Sequence, residues 1–218
     1  MHISEGVLSG QVMAAGGILA VAGSAIGLKN IDYDKIVNVA ILSSAFFVAS
    51  LIHVNIGPSS VHLILNGIVG ILLGWAAFPA ILVALILQVV FFQFGGLTPL
   101  GVNTVIMALP AILGYYIFSP FIGDNYKVTF TASFLAGAFS IFLSSILLGL
   151  ALYLTEKNFM EVTILIISSY FPIMIIEGII TGFCITFFQK VYPEILPDRR
   201  HGKIEADQTD PDDPGEKA

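Results

Sequence analysis

No Asp, Glu, Lys or Arg occurs between residues 36 and 123 of this 218-residue chain. In water such a stretch has nothing to hold it at the surface. In a bilayer it has room for about four helices of about 20 residues each. The rest of the chain agrees: 56% of residues are hydrophobic and 11% charged, where soluble domains carry about a quarter charged residues. The net charge of −6 does not describe the apolar body, because much of the acid lies after the last apolar run. The single cysteine, Cys184, lies in an apolar run and has no intrachain disulfide partner.

Breaks at Gly, Pro and charge clusters divide the chain into seven apolar spans, 10–28, 36–54, 61–78, 79–95, 103–122, 128–154 and 163–189. The predicted fold is an all-α membrane protein, a bundle of seven transmembrane helices. One helix over 61–95 would run about 50 Å, too long for a hydrocarbon core of about 30 Å. A break is therefore expected in "WAAFPA", where Pro79 removes an N–H and crowds the preceding turn.

Basic residues orient the bundle. With the N-terminus outside and the C-terminus cytoplasmic, Lys29, Lys35, Lys127, Lys190, Arg199, Arg200, Lys203 and Lys217 fall inside and Lys157 alone outside, a strong positive-inside bias. The first nine residues lack a basic region and a small-x-small cleavage site, unlike a removable signal peptide. Three parts result: an N-terminal segment 1–9, a membrane domain 10–192 and an acidic tail 193–218. The tail is rich in Pro and Asp and is expected to be disordered on the cytoplasmic side. His201 lies there with no other ligand beside it. The expected location is the cell membrane.

The chain opens MHISEG. Histidine at position 2 sets three nitrogens in chelating order: the Met1 amine, the His2 amide and the His2 imidazole Nδ1. Amine and amide close a five-membered ring on a metal, amide and Nδ1 a six-membered one. Loss of the amide proton needs a strongly binding ion such as Ni²⁺, Co²⁺ or Cu²⁺. Planar nitrogen sites favour Ni²⁺ and Cu²⁺. Bulky His2 should protect Met1 from trimming, and apolar Ile3, Val7 and Leu8 should tuck the segment into the bundle. A fourth ligand is offered by His53 or His62, which flank "VNIGPSSV" on the same predicted side as Met1. Imidazole suits these ions.

Four blocks are similar to one family. "MHISEGVLSG", "GPSSVHL", "FGGLTPLGVNTVIMALP" and "PIMIIEGIITGF" resemble, in order, blocks of the CbiM and NikM proteins. Those are the substrate-binding components of energy-coupling-factor transporters for cobalt and nickel. The resemblance runs from residue 1 to about residue 183. It implies Co²⁺ or Ni²⁺ as transported substrate and Met1, His2 and His62 as ligands. It also implies partners: a transmembrane coupling subunit, two cytoplasmic ATPases and a small accessory membrane subunit, with no nucleic acid. His53 matches no family role and is kept as a neighbour of the site.

Other residues are weighed beside these. Glu177 stands near the middle of the last span, where a carboxylate is costly and no Lys or Arg in any span can pair with it. It would orient a ligating imidazole or hydrogen-bond the backbone of a neighbouring helix. Glu5 would shape the N-terminal segment or attract cations. Gln93 and Asn103 bracket "FGGLTPLGV", and their amides need partners; a role beneath the metal, ordering His2 or closing a lid, fits both. Small residues recur at i+4 as Gly16, Ala20, Ser24, as Gly23, Gly27 and as Ala45, Ala49. Such faces let helices pack closely, within this chain or, for Ala45–Ala49, against the coupling subunit as the resemblance implies.

There is no phosphate-binding Gly-rich loop, so the chain cannot power transport alone, and neither GxSxG nor HExxH occurs. Two other functions are open. One keeps the architecture and binds a vitamin or other small molecule, with Trp75 and Phe-rich spans lining an organic pocket. The other is an intramembrane metal-dependent enzyme built on Glu177 and a histidine. Both Co²⁺ and Ni²⁺ accept the same four nitrogens, with a slight lean to cobalt from the resemblance.

Overall fold

The computed structural model describes residues 2–33, 36–51, 53–56, 59–156 and 160–197. Met1 and the tail from residue 198 lie outside the described residues, as do the side chains of residues 53–62.

The chain forms α1 (Gly10–Lys29), α2 (Ile36–Ala49), strands β1 (His53–Ile56) and β2 (Ser59–His62), α3 (Asn66–Leu73), α4 (Ala77–Phe92), α5 (Leu100–Phe118), α6 (Tyr126–Thr155) and α7 (Met160–Val191). Helix starts obey local chemistry. Ser9 caps α1 by accepting the Val12 N–H, and Asn125 caps α6 by accepting those of Lys127 and Val128. Among the described residues five helical stretches have the length and composition to cross a membrane, 10–29, 66–92, 100–121, 126–155 and 164–191, the second of them interrupted at Gly74, with α2 shorter. Exposed Ile18 and Val21 of α1, Phe91 of α4 and Phe183 of α7 are among the apolar side chains left for lipid.

The molecule departs from the expected spans between residues 50 and 79. Helix was expected over 36–54 and 61–78; instead α2 stops at Ala49 and a hairpin intervenes. In the hairpin His53 pairs with His62 and Ile56 with Ser59. Alternating β-branched residues in "HVNIGPSSVH" suit paired strands better than a helix. The break expected in "WAAFPA" is present, but it is made by Gly74, just ahead of the motif, rather than by Pro79. Gly74, with φ +52 and ψ −122, ends α3, and Pro79 sits inside the first turn of α4 where its missing N–H costs nothing. An L side chain is strained at that φ, so a glycine makes the reversal there.

α3 is consequently a half-helix, about 12 Å long. Its start lies beside Glu177 in the middle of α7. Its end lies beside Tyr115, near the C-terminus of α5. It descends from mid-bundle to the end where α1 and α5 finish. α4 then climbs back, from Pro79 beside Gly27 of α1 to Gln88 beside His2. Side chains give way to backbone along α3. A Cβ on Gly70 would collide with the Ala111 carbonyl oxygen, and one on Gly67 would lie 2.5 Å from the Gly137 Cα. Real Cβ atoms are excluded at such distances, so α5 and α6 close on α3 with almost nothing between.

The core lies between the N-terminal segment and the half-helix. Ile3 and Leu8 join Phe46, Ile64, Ile81, Leu85, Met107 and Ile141 in one buried cluster. Burial of Ile3 and Leu8, at 5% and 7% exposure, draws the first residues into the bundle. Fully burying such side chains contributes about 1.5–3 kcal/mol each.

Candidate metal centre

The N-terminal segment is held at three successive points. Asn103 of α5, 2% exposed, grips Ile3 from both sides: its Oδ1 accepts the Ile3 N–H at 3.0 Å and its Nδ2 donates to the Ile3 carbonyl at 3.1 Å. Glu5 accepts the backbone N–H groups of Leu97 at 2.9 Å and Thr98 at 3.4 Å, in the loop before α5. At the segment's end the Ser9 N–H donates to Thr155 Oγ1 at the C-terminus of α6. Residues 2–9 thus form an ordered strap across one end of the bundle.

His2 is seated by these contacts. Its Nε2 lies 2.7 Å from Gln88 Oε1, and its ring stands 6.4 Å from that of Phe94. Gln88, wholly buried, donates from Nε2 to Ser50 Oγ at 2.5 Å. Ser50 donates in turn to the Phe47 carbonyl at 2.6 Å. Ser50 directly succeeds α2, and three residues later β1 begins. The backbone path therefore brings the hairpin, with His53 and His62 paired at its open end, to the same end of the bundle as His2. The side chains of both histidines lie outside the described residues.

Glu177 anchors the backbone just past His62. Its carboxylate accepts the backbone N–H groups of Ile64 and of Leu65, the latter at 3.0 Å and 3.1 Å from its two oxygens. Of the two roles weighed for it, the hydrogen bond to neighbouring backbone is present; the other turns on histidine side chains outside the described residues. The donors are the N-cap residue of α3, Leu65, and the residue before it, so the carboxylate also meets the positive end of that half-helix. Leu65 is left-handed, at φ 58, a conformation uncommon for a leucine and fixed here from both sides.

Several candidates fall elsewhere. Gln93 is exposed and caps α4 with φ 57; the amide that reaches His2 is that of Gln88, five residues earlier. Sequence reasoning passed over Gln88 within "LILQVVFF", though an amide in an uncharged span is itself a signal. Ala45 is exposed while Ala49 is 7% exposed and turned inward, so the pair makes no common outward face. Gly16, Ala20, Gly23, Ser24 and Gly27 are all buried, so the stripe of α1 packs within the chain. Trp75 lies at the opposite end from His2, donating to Tyr116 Oη at 2.8 Å beside a cavity of about 600 Å³. It lines no pocket near His2. Lys29, Lys127 and Lys190 gather at that same far end. Among the described residues no group of three His, Cys, Asp or Glu side chains converges.

Comparison with known proteins gives a consistent picture. Residues 2–195 match the family described as cobalt uptake substrate-specific transmembrane region, CbiM. A Haemophilus influenzae protein named for metal transport is 42% identical, over 90% of this chain and 97% of its own length. A fused nickel transport protein, NikMN, of Archaeoglobus fulgidus is 27% identical over 90% of this chain and 68% of its own. The crystal structure of a truncated transition metal transporter superposes with a TM-score of 0.70 at 25% identity, covering 87% of this chain and 99% of that one.

Proposed function

This chain belongs to the cobalt uptake substrate-specific transmembrane family, and we propose that it takes one Co²⁺ or Ni²⁺ ion from outside the cell into a site of four nitrogens. The ligands are the Met1 amine, the His2 amide, His2 Nδ1 and the imidazole of His62. A transmembrane coupling subunit and two cytoplasmic ATPases, with a small accessory membrane subunit, drive its release inward.

The observation that carries this reading is the strap. Nothing in a packing role calls for a chain end to be fixed by Asn103, Glu5 and Gln88 together. A chelate that begins at the first amine does. Second comes the placement of the hairpin at the same end, its last residue two positions before backbone that Glu177 holds. Neutral imidazole, amine and deprotonated amide are strong-field nitrogens that suit planar Ni²⁺ and low-spin Co²⁺. The basic side chains Lys29, Lys127 and Lys190 at the opposite end support a cytoplasmic assignment for it. The ion is cargo, and no group here is required to perform chemistry on it.

The test is metal titration of purified protein monitored by absorption of planar Ni²⁺. Wild type should bind one ion per chain. His2→Ala, His62→Ala and a variant carrying one extra residue before Met1 should each lose the band and most of the affinity. Undiminished binding by the extended variant would refute the chelate.

A further inference from the structure

The hydrogen bonds around Gln88 have a direction, and it can be read from the far end. The Phe47 carbonyl can only accept. Its 2.6 Å separation from Ser50 Oγ therefore needs the serine proton between the two oxygens. With its proton spent, Ser50 Oγ must accept from Gln88, 2.5 Å away, which fixes the NH₂ end of the Gln88 amide toward Ser50. The carbonyl end then faces His2. That oxygen can only accept, so the proton in the 2.7 Å contact belongs to His2 Nε2. A neutral imidazole protonated at Nε2 carries its lone pair on Nδ1.

We propose that Gln88 and Ser50 are positioning residues that hold His2 in the Nε2-protonated tautomer before any ion arrives. The proposal rests on the chelate reading, in which Nδ1 closes the six-membered ring; the other tautomer would present a proton to the metal instead. Burial strengthens the effect. Gln88 is 0% and Ser50 1% exposed, so a reversed amide would leave two acceptors facing each other with no water to relieve them. The relay also ties together the parts that carry the ligands. His2 stands on the strap, Gln88 on α4, and Ser50 at the end of α2, three residues before the hairpin begins.

The test uses full-length protein with ¹⁵N-labelled histidine, first without metal. The chain has four histidines, and His2→Ala identifies the His2 signals. In wild type the His2 ring should show a protonated Nε2 and an unprotonated Nδ1. Gln88→Met, similar in shape but unable to accept, should give a mixture of tautomers and weaken Ni²⁺ binding roughly 10- to 100-fold, the usual effect of removing a partner of a ligating histidine. Gln88→Glu accepts from the ring through one oxygen and, protonated on the other, can donate to Ser50, so it should keep Nε2 protonated. Ser50→Ala frees the amide to turn and should give an intermediate mixture. A wild-type ring protonated at Nδ1 would overturn the proposal, as would a Gln88→Met ring indistinguishable from wild type. Should Gln88→Met fail to fold, Ser50→Ala carries the same decision. The tautomer is read in metal-free protein, so failure of the chelate, shown by binding to the extended variant, is separate from failure of the relay.

Discussion

Both carboxylate oxygens of Glu177 lie within hydrogen-bonding distance of the Leu65 N–H, at 3.0 Å and 3.1 Å. One side chain in the middle of α7 therefore ends the strand that carries His62 and starts the half-helix α3. A carboxylate in an apolar bundle is expensive unless its lone pairs are used, and here backbone donors use them.

Removing that carboxylate strands the Ile64 and Leu65 donors, each at a cost of about 1–3 kcal/mol. Glu177→Ala should lower the melting temperature by on the order of 5–15 °C and weaken Ni²⁺ binding, because the residues just after His62 lose their anchor. Glu177→Gln retains one acceptor and should lose less of both. Thermal unfolding in detergent with a parallel metal titration checks this. A Glu177→Ala protein as stable and as tight-binding as wild type would contradict it.

Asn103 makes two bonds to one residue of the strap. At about 0.5–1.5 kcal/mol each, Asn103→Leu should reduce metal affinity by roughly 10-fold, while changing the bundle's melting point little. Limited proteolysis should then cut the first nine residues faster than in wild type. Unchanged proteolysis would mean the apolar anchors Ile3 and Leu8 hold the strap unaided.

Gly70 meets the Ala111 carbonyl with no side chain between them. Gly70→Ala must push α3 away from α5, and overpacking of that kind costs typically about 1–3 kcal/mol, occasionally more. The variant should melt well below wild type, and Gly17→Ala, where a Cβ meets nothing within 4 Å, should not. Equal melting points for the two would rule out tight α3–α5 packing.

The chelate also predicts a pH dependence with a definite sign. Its nitrogens bind only when deprotonated. The amide proton must leave at any pH, the amine proton must leave below its ordinary value of about 8, and the imidazoles' below about 6.5. Near pH 7 each ion should displace about two protons, and affinity should fall as pH falls, more steeply below about 6.5. Calorimetry in buffers of different ionisation enthalpy counts those protons. Binding without proton release would exclude the amide as a ligand.

The long helices were legible because nothing competes with a 20-residue apolar run. α1, α5, α6 and α7 begin and end within a few residues of the breaks marked by Ser9, Pro99, Asn125 and charged Lys29 or Lys190. The region from residue 50 to residue 79 was not legible. There "HLILNGIVGILLG" reads as one apolar run, and periodicity cannot say that its first residues are extended and held by a carboxylate more than a hundred positions away. The same distance hid Gln88 and Ser50, whose roles exist only once α4, the end of α2 and the strap meet. The inward tuck of the first residues was easier, since apolar Ile3 and Leu8 announce it locally.

The bare backbone contacts of α3 have a mechanical consequence. Gly67 against Gly137 and Gly70 against the Ala111 carbonyl leave no compliant side chain to absorb sliding, so the half-helix, α5 and α6 behave as one stiff piece, with α7 locked on through Glu177 and Thr181. Backbone resistance to sliding is lower along the seam facing α2 and α4, where Phe47 and the exposed Phe92 meet ring to ring at 5.8 Å.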